Sequence, residues 1–233
     1  MLQMNADKIH QVDPLNPKTY IIDEAADIIK QGGIIVFPTR GLYGLGTDAL
    51  SEKAVDRIFT VKNRDRHKPV LVLVDDESWV DRLAVNVSDM ARHMMQTFWP
   101  GRITLIFDAA ADLPANLTGN MPENNMPEGN VTGKTDKIRK IGIRVCRHPV
   151  ARAVIKKAGC PVTGTSANIA DQPGCFQISD IDRKIIQKAD LILDAGILES
   201  GIPSTVADVT GKTPKILREG AVSMMEIFNA YPS

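Results

Sequence analysis

A chain of 233 residues, 43% hydrophobic and 24% charged, has the make-up of a globular protein that buries a substantial core, expected here as one large domain. Its 28 Lys and Arg stand against 28 Asp and Glu, which excludes a surface built throughout for nucleic acid and leaves room for a local basic groove. Cys146, Cys160 and Cys175 form no CxxC pair, which excludes a disulfide framework; with no apolar leader in MLQMNADKIH and no apolar run long enough to cross a bilayer, a cytoplasmic protein is expected.

Thr19 reads as the N-cap of a helix through Lys30, because Ile21, Ile22, Ala25, Ile28 and Ile29 recur at helical spacing, and Gly32 and Gly33 stop it. The β-branched run Ile34 to Phe37 reads as a buried strand that meets Pro38 and empties into a turn spaced by Gly41, Gly44 and Gly46. A ligand can approach such a backbone-rich loop closely. Ser51 caps the next helix, with Val55, Ile58 and Phe59 on its inner face, and Pro69 ends that segment before a strand from Val70 to Val74. Residues 57–68 hold five Lys or Arg and one Asp, so positive charge is concentrated there in a chain of zero net charge. Strand, glycine turn, helix, cationic cluster and strand together form a layout for holding an anion.

Helices are expected from Glu77 to Leu83 and from Ser88 to Phe98, with Trp99 as a hydrophobic plug and Pro100-Gly101 turning the chain into a strand from Ile103 to Phe107. Residues 109–137, rich in Asn, Gly and Pro without a sustained period, read as a long surface loop insertion, either a solvated excursion or a lid. A strand from Ile141 to Val145 carries Arg144, Pro149 opens a helix through Ala158, and Pro161 to Gly164 forms a short strand. Thr165, Ser166 and Asn168 follow as a turn that offers hydroxyl and amide groups just past a strand, where α/β sheets place ligands. A helix from Ser179 to Ala189, strands Leu191 to Ala195 and Thr205 to Val209, and a terminal helix capped by Ser223 complete an α/β pattern.

Three decoys are set aside on spacing. VTGKT occurs at Val131 and at Val209, but the glycine that a phosphate-binding P-loop needs five residues before the second glycine is Glu128 in one copy and Val206 in the other. Gly44-x-Gly46-x-x-Ala49 imitates a dinucleotide fingerprint, yet the position for the ribose-binding acid falls in the cationic run. His10, His67, His93 and His148 show no metal-ligand spacing with each other or with the cysteines, so no tightly bound, protein-ligated metal is expected.

PTRGLYGLG followed by KNR and KP, between Pro38 and Pro69, resembles the PTxTVYGLG and KxR…KPL signature of the threonylcarbamoyl-AMP synthases, the Sua5/YrdC/YciO family. WPGRITLIF (Trp99 to Phe107), PVTGTSAN (Pro161 to Asn168), STVADV (Ser204 to Val209) and LREGA (Leu217 to Ala221) resemble further family stretches in the family's order. The resemblance implies an α/β fold with a twisted, open, mostly parallel sheet, flanking helices and a large concave cavity, as a single YrdC-like domain over residues 1–233 without the C-terminal domain of the longer Sua5 branch.

It also implies an activity: L-threonine, bicarbonate or CO2, and ATP with Mg²⁺ combine to threonylcarbamoyl-AMP and pyrophosphate, for the threonylcarbamoyl modification of tRNA adenosine by a downstream transferase machinery. Carried over residue by residue, Lys62, Arg64, Lys68, Ser166, Asn168 and Arg218 meet ATP, with Lys62, Arg64 and Ser166 the catalytic set. Thr39, Arg144, Thr165 and Ser204 meet L-threonine. Arg40-Gly41 stands where the family usually has Glu-Thr, and Arg102 where it has proline; Arg40 adds a cation beside the substrate pocket, which bears on the amino acid chosen more than on the nucleotide site. The competing reading is a paralogue that binds double-stranded RNA or tRNA without catalysis; 5% aromatics and zero net charge count against base stacking.

Overall fold

The computed structural model describes residues 8–118, 139–198 and 202–230. In chain order these form β1 (Ile9–Gln11), α1 (Thr19–Lys30), β2 (Ile35–Pro38), β3 (Tyr43–Gly46), α2 (Glu52–Lys62), β4 (Val72–Val74), α3 (Val80–Leu83) and β5 (Ala84–Val85). There follow α4 (Asp89–Phe98), β6 (Ile103–Ala109), β7 (Lys140–Val145), α5 (Pro149–Ala158), β8 (Val162–Thr163), β9 (Thr165–Ser166), α6 (Arg183–Lys188), β10 (Leu191–Asp194), β11 (Thr205–Asp208), β12 (Lys215–Arg218) and α7 (Met224–Ala230). Among the described residues no helix is long and apolar enough to cross a membrane.

Local chemistry accounts for the helix ends. Ser51 Oγ accepts from the Ala54 amide at the start of α2, and Asn63 closes that helix in the left-handed region at φ 50°. Ser88 caps α4 in the same way, and Ser223 exchanges bonds with Glu226 in a capping box ahead of α7. Thr19 is the first helical residue of α1 and not its cap; Lys18 holds the cap position with no side-chain bond to the first turn. The helix expected from Ser179 begins at Arg183, where Asp182 is the cap that accepts from the Lys184 amide.

The α/β class with flanking helices stands, while the single, mostly parallel sheet divides into two mixed ones. One runs β1-β10-β2-β3-β9 and the other β12-β11-β6-β7-β4-β8, with β5 on the side of β6. Four of the ten described pairings are parallel and six antiparallel. The physical reason is connection length: residues 39–42 join β2 to β3, far too few for a crossover, so those strands pair as a hairpin. Gly44 and Gly46, expected in an open turn, therefore lie inside β3. Packing requires them, since a Cβ on Gly46 would sit 2.6 Å from Phe37 Cε1 and one on Gly44 2.9 Å from Thr39 Cγ2.

The first sheet is buried on both faces, against α1 and α5 on one side and α6 on the other. The second buries Ile103, Leu105, Phe107, Ile141, Ile143 and Val145 against α3 and α4 and leaves its other face to a cleft. The sheets meet at a seam: the Thr163 amide donates to Thr47 O at 3.0 Å, the Gly164 amide to Leu71 O at 2.8 Å, and the Ala167 amide to Tyr43 O at 2.8 Å. The chain thus leaves the second sheet at β8, passes Gly164 and joins the first at β9. Of the loop expected over residues 109–137, the described part is anchored: Leu113 and Leu117 are buried, and Asn116 Nδ2 donates to Glu52 O and Asp56 Oδ1, both at 2.9 Å. Residues 119–137, with the first VTGKT, lie outside the described residues.

Candidate active site

Where the two sheets meet they enclose a cleft of about 280 Å³. Strand alternation sets its floor. Every second residue of β6 and β7 turns away from the core, which brings Thr104, Ile106, Gly142 and Arg144 onto the cleft face. Thr39 to Gly44 form one wall, Gly164 to Ser166 the seam, and Ser204, Arg218 and Ala221 the far wall. Seven of the residues expected to bind ligand share this cleft: Thr39, Arg64, Arg144, Thr165, Ser166, Ser204 and Arg218.

Its electrostatics are one-sided. Among the described residues that line it are five arginines, Arg40, Arg64, Arg102, Arg144 and Arg218, and no Asp, Glu, His, Lys or Cys. Arg144 is buried, its Nε meets no hydrogen-bond partner, and the positive charges of Arg40 and Arg218 reach it. Burial lowers the pKa of Arg64, Arg144 and Arg218, yet a guanidinium stays charged throughout the working range. An uncompensated buried cation is costly. An anion entering the cleft would supply negative charge beside these arginines.

Lys62, Lys68 and Asn168 sit apart from it. Lys62 is 1% exposed and its ammonium donates to the backbone carbonyls of Ser166 and Asn168, while its own carbonyl accepts from the Ala170 amide at 2.9 Å. Burial, with the positive Arg64 beside it, lowers its pKa to about 7. Asn168 Nδ2 donates to Ile169 O and Gln172 O, at 2.8 and 2.7 Å, and its Oδ1 is buried without a partner. Lys68 is exposed, 3.9 Å from Asp171.

Arg102 and Thr104 join the site without having been singled out as ligand-binding from the sequence. Thr104 Oγ1 lies 3.0 Å from Ser204 Oγ, so two buried hydroxyls pair on the floor. Alternation along Ile103 to Phe107 was the available signal, since it puts one hydroxyl on the face opposite three large apolar residues. Arg102 Nη1 donates to Ala221 O at 3.1 Å, which fixes it at the rim.

The family model for Sua5, YciO and YrdC, described as telomere recombination, matches residues 27–220. A threonylcarbamoyl-AMP synthase of Pyrococcus abyssi is 30% identical over 203 residues, 87% of this chain and 55% of that one, so the chain spans about half the length of that relative. Among solved structures, P. abyssi Sua5 complexed with L-threonine superposes with TM-score 0.85 at 28% identity, covering 96% of this chain and 61% of that one. E. coli YciO superposes with TM-score 0.79 at 26% identity and covers 94% of this chain and 98% of its own.

Proposed function

We propose, for a chain that belongs to the Sua5, YciO and YrdC family, that it is an L-threonylcarbamoyladenylate synthase. The observation that carries the reading is the cleft itself: among the described residues that line it are five arginines and no acidic residue, and the buried Arg144 Nε has no hydrogen-bond partner. The named relatives support the same reaction.

In this reading Arg144 anchors the carboxylate of threonine in a bidentate pair, with the hydroxyls of Thr39, Thr165 and Ser204 around the amino acid. Arg64, Arg218 and Ser166 face the triphosphate. Lys62 and Asn168 serve it through the loop they hold, and Lys68 reaches it from the rim. The amine of threonine adds to CO2, supplied from bicarbonate, and gives a carbamate. A carbamate oxygen then attacks the α-phosphorus, the bond to the bridging oxygen breaks, and pyrophosphate leaves with the electron pair. Mg²⁺ belongs to the substrate, bound to the phosphates of ATP; among the described residues no group of three His, Cys, Asp or Glu side chains is placed to hold a metal. With no carboxylate or imidazole among the described residues that line the cleft, the arginines supply positioning and offset of charge on the departing pyrophosphate. The product passes to the tRNA-modifying transferase machinery.

Pyrophosphate release tests this. It should require ATP, bicarbonate and L-threonine together, and Arg144→Met should lower it by about a hundredfold or more with the melting temperature kept or raised, because an unpaired buried charge is removed. Pyrophosphate release from ATP alone, or none with any amino acid, would sink the reading.

A further inference from the structure

Among the described residues three glycines lie inside strands, and they differ in what holds them there. Gly44 and Gly46 are required by packing, as the clashes with Thr39 and Phe37 show. Gly142 is not. Its backbone needs no left-handed angle, and among the described residues a Cβ built on it would meet only Thr104 Cγ2, at an ordinary 3.4 Å. A glycine in mid-strand sacrifices chain entropy and side-chain packing, so one that neither backbone nor packing requires marks a place where a ligand comes close to the strand.

The surroundings say which part of a ligand. Gly142 pairs with Ile106 across the sheet, and Leu71 and Ile106 line the cleft with it, while Arg144 stands two residues along on the same face. On the proposed reading, a carboxylate held by Arg144 would leave the aliphatic part of its amino acid near Gly142, beside Leu71, Thr104 and Ile106. We infer that Gly142 is the specificity-determining position for the amino-acid side chain, the missing Cβ making room for the methyl group of a β-branched hydroxy amino acid. This rests on the proposed synthase reading and deepens it.

The test is Gly142→Ala in the full chain, with L-threonine, L-serine and ATP titrated by calorimetry and pyrophosphate release followed with each amino acid. Filling the slot with one methyl should weaken L-threonine by about tenfold or more, the lower end of what one such group is worth, and L-serine by less than threefold. ATP affinity should be unchanged, and the melting temperature should hold or rise, as removing a glycine restricts the unfolded chain. Gly142→Ser is the second variant and should give the same ordering. An unchanged threonine-to-serine ratio overturns the inference, as does a loss confined to ATP, which would put the nucleotide over Gly142. Wild-type protein that takes neither amino acid overturns the synthase reading and this inference with it, whereas wild-type activity with an unaltered ratio overturns this inference alone.

Discussion

Lys62 and Arg144 are both buried cations with no carboxylate within ion-pairing distance among the described residues, and they meet that cost differently. Lys62 gives its protons to two backbone carbonyls; Arg144 keeps one buried donor unpaired. The fold thus meets the Lys62 ammonium with acceptors and leaves one Arg144 donor unmet, and an unmet buried donor is the costlier state. Lys62→Met should therefore destabilise the ligand-free protein by about 1 to 3 kcal/mol, the cost of leaving buried acceptors unpaired, where Arg144→Met should not. Denaturant midpoints of the two variants check the contrast, and equal losses would contradict it. The pH dependence has a definite sign. Because the folded pKa of Lys62 is lowered to about 7 from 10.5, the unfolded chain binds the extra proton above pH 7, so this residue makes stability rise with pH from 7 towards 9. Below pH 7 both states are protonated and its contribution is flat. The rise should shrink in Lys62→Met. The sequence shows the KxR spacing but cannot show that the lysine turns back beneath Ser166, because that bond spans 104 positions.

At the scale of elements, alternation carried most of the legible information. The strand expected from Ile141 to Val145 is present as β7, and its alternation puts Arg144 on the cleft face, opposite its apolar neighbours. The helix cap Ser51 was equally legible, being a local bond between residues three apart. The pairing partners were not, since a strand of two to four residues such as β3, β8, β9 or β12 carries too few side chains to show a period. The glycine-spaced stretch misled as well: Gly44 and Gly46, which look like part of a flexible loop, are small because Thr39 presses on the first and Phe37 and Val162 on the second. Gly46→Ala should thus cost about 1 to 3 kcal/mol through overpacking of Phe37 and Val162, whereas Gly142→Ala should be close to neutral in stability. Urea titrations of the two alanine variants decide it. A neutral Gly46→Ala would mean that the hairpin yields more readily than its contacts imply.

For the whole molecule the decisive quantity is where charge sits, since 28 positive and 28 negative side chains cancel at a distance while five arginines gather in one cleft. Beyond about 8 Å at physiological ionic strength the far field is screened, so this charge acts on a ligand that enters the cleft and hardly at all on a long polyanion outside it. An RNA-binding surface needs the opposite arrangement, with cations spread along a face at phosphate spacing. Such a surface loses about 10³ to 10⁵ in affinity between 50 and 200 mM salt for six to ten phosphate contacts. Among the described residues several exposed cations are paired within the fold, Arg57 with Asp190, Arg66 with Asp56, Arg92 with Asp81, Lys140 with Asp208 and Lys157 with Asp23. ATP binding should accordingly survive an increase from 50 to 200 mM KCl with less than about a tenfold loss, since direct contacts in a cleft are screened less than exposed ones. Double-stranded RNA should bind no tighter than the non-specific range of about 10⁻⁴ to 10⁻⁶ M. Filter binding and calorimetry on the same preparation measure both. Nanomolar RNA binding with a steep salt slope, beside ATP affinity that vanishes at 200 mM, would show that the arginines serve a polyanion and that the cleft is not an adenylation site.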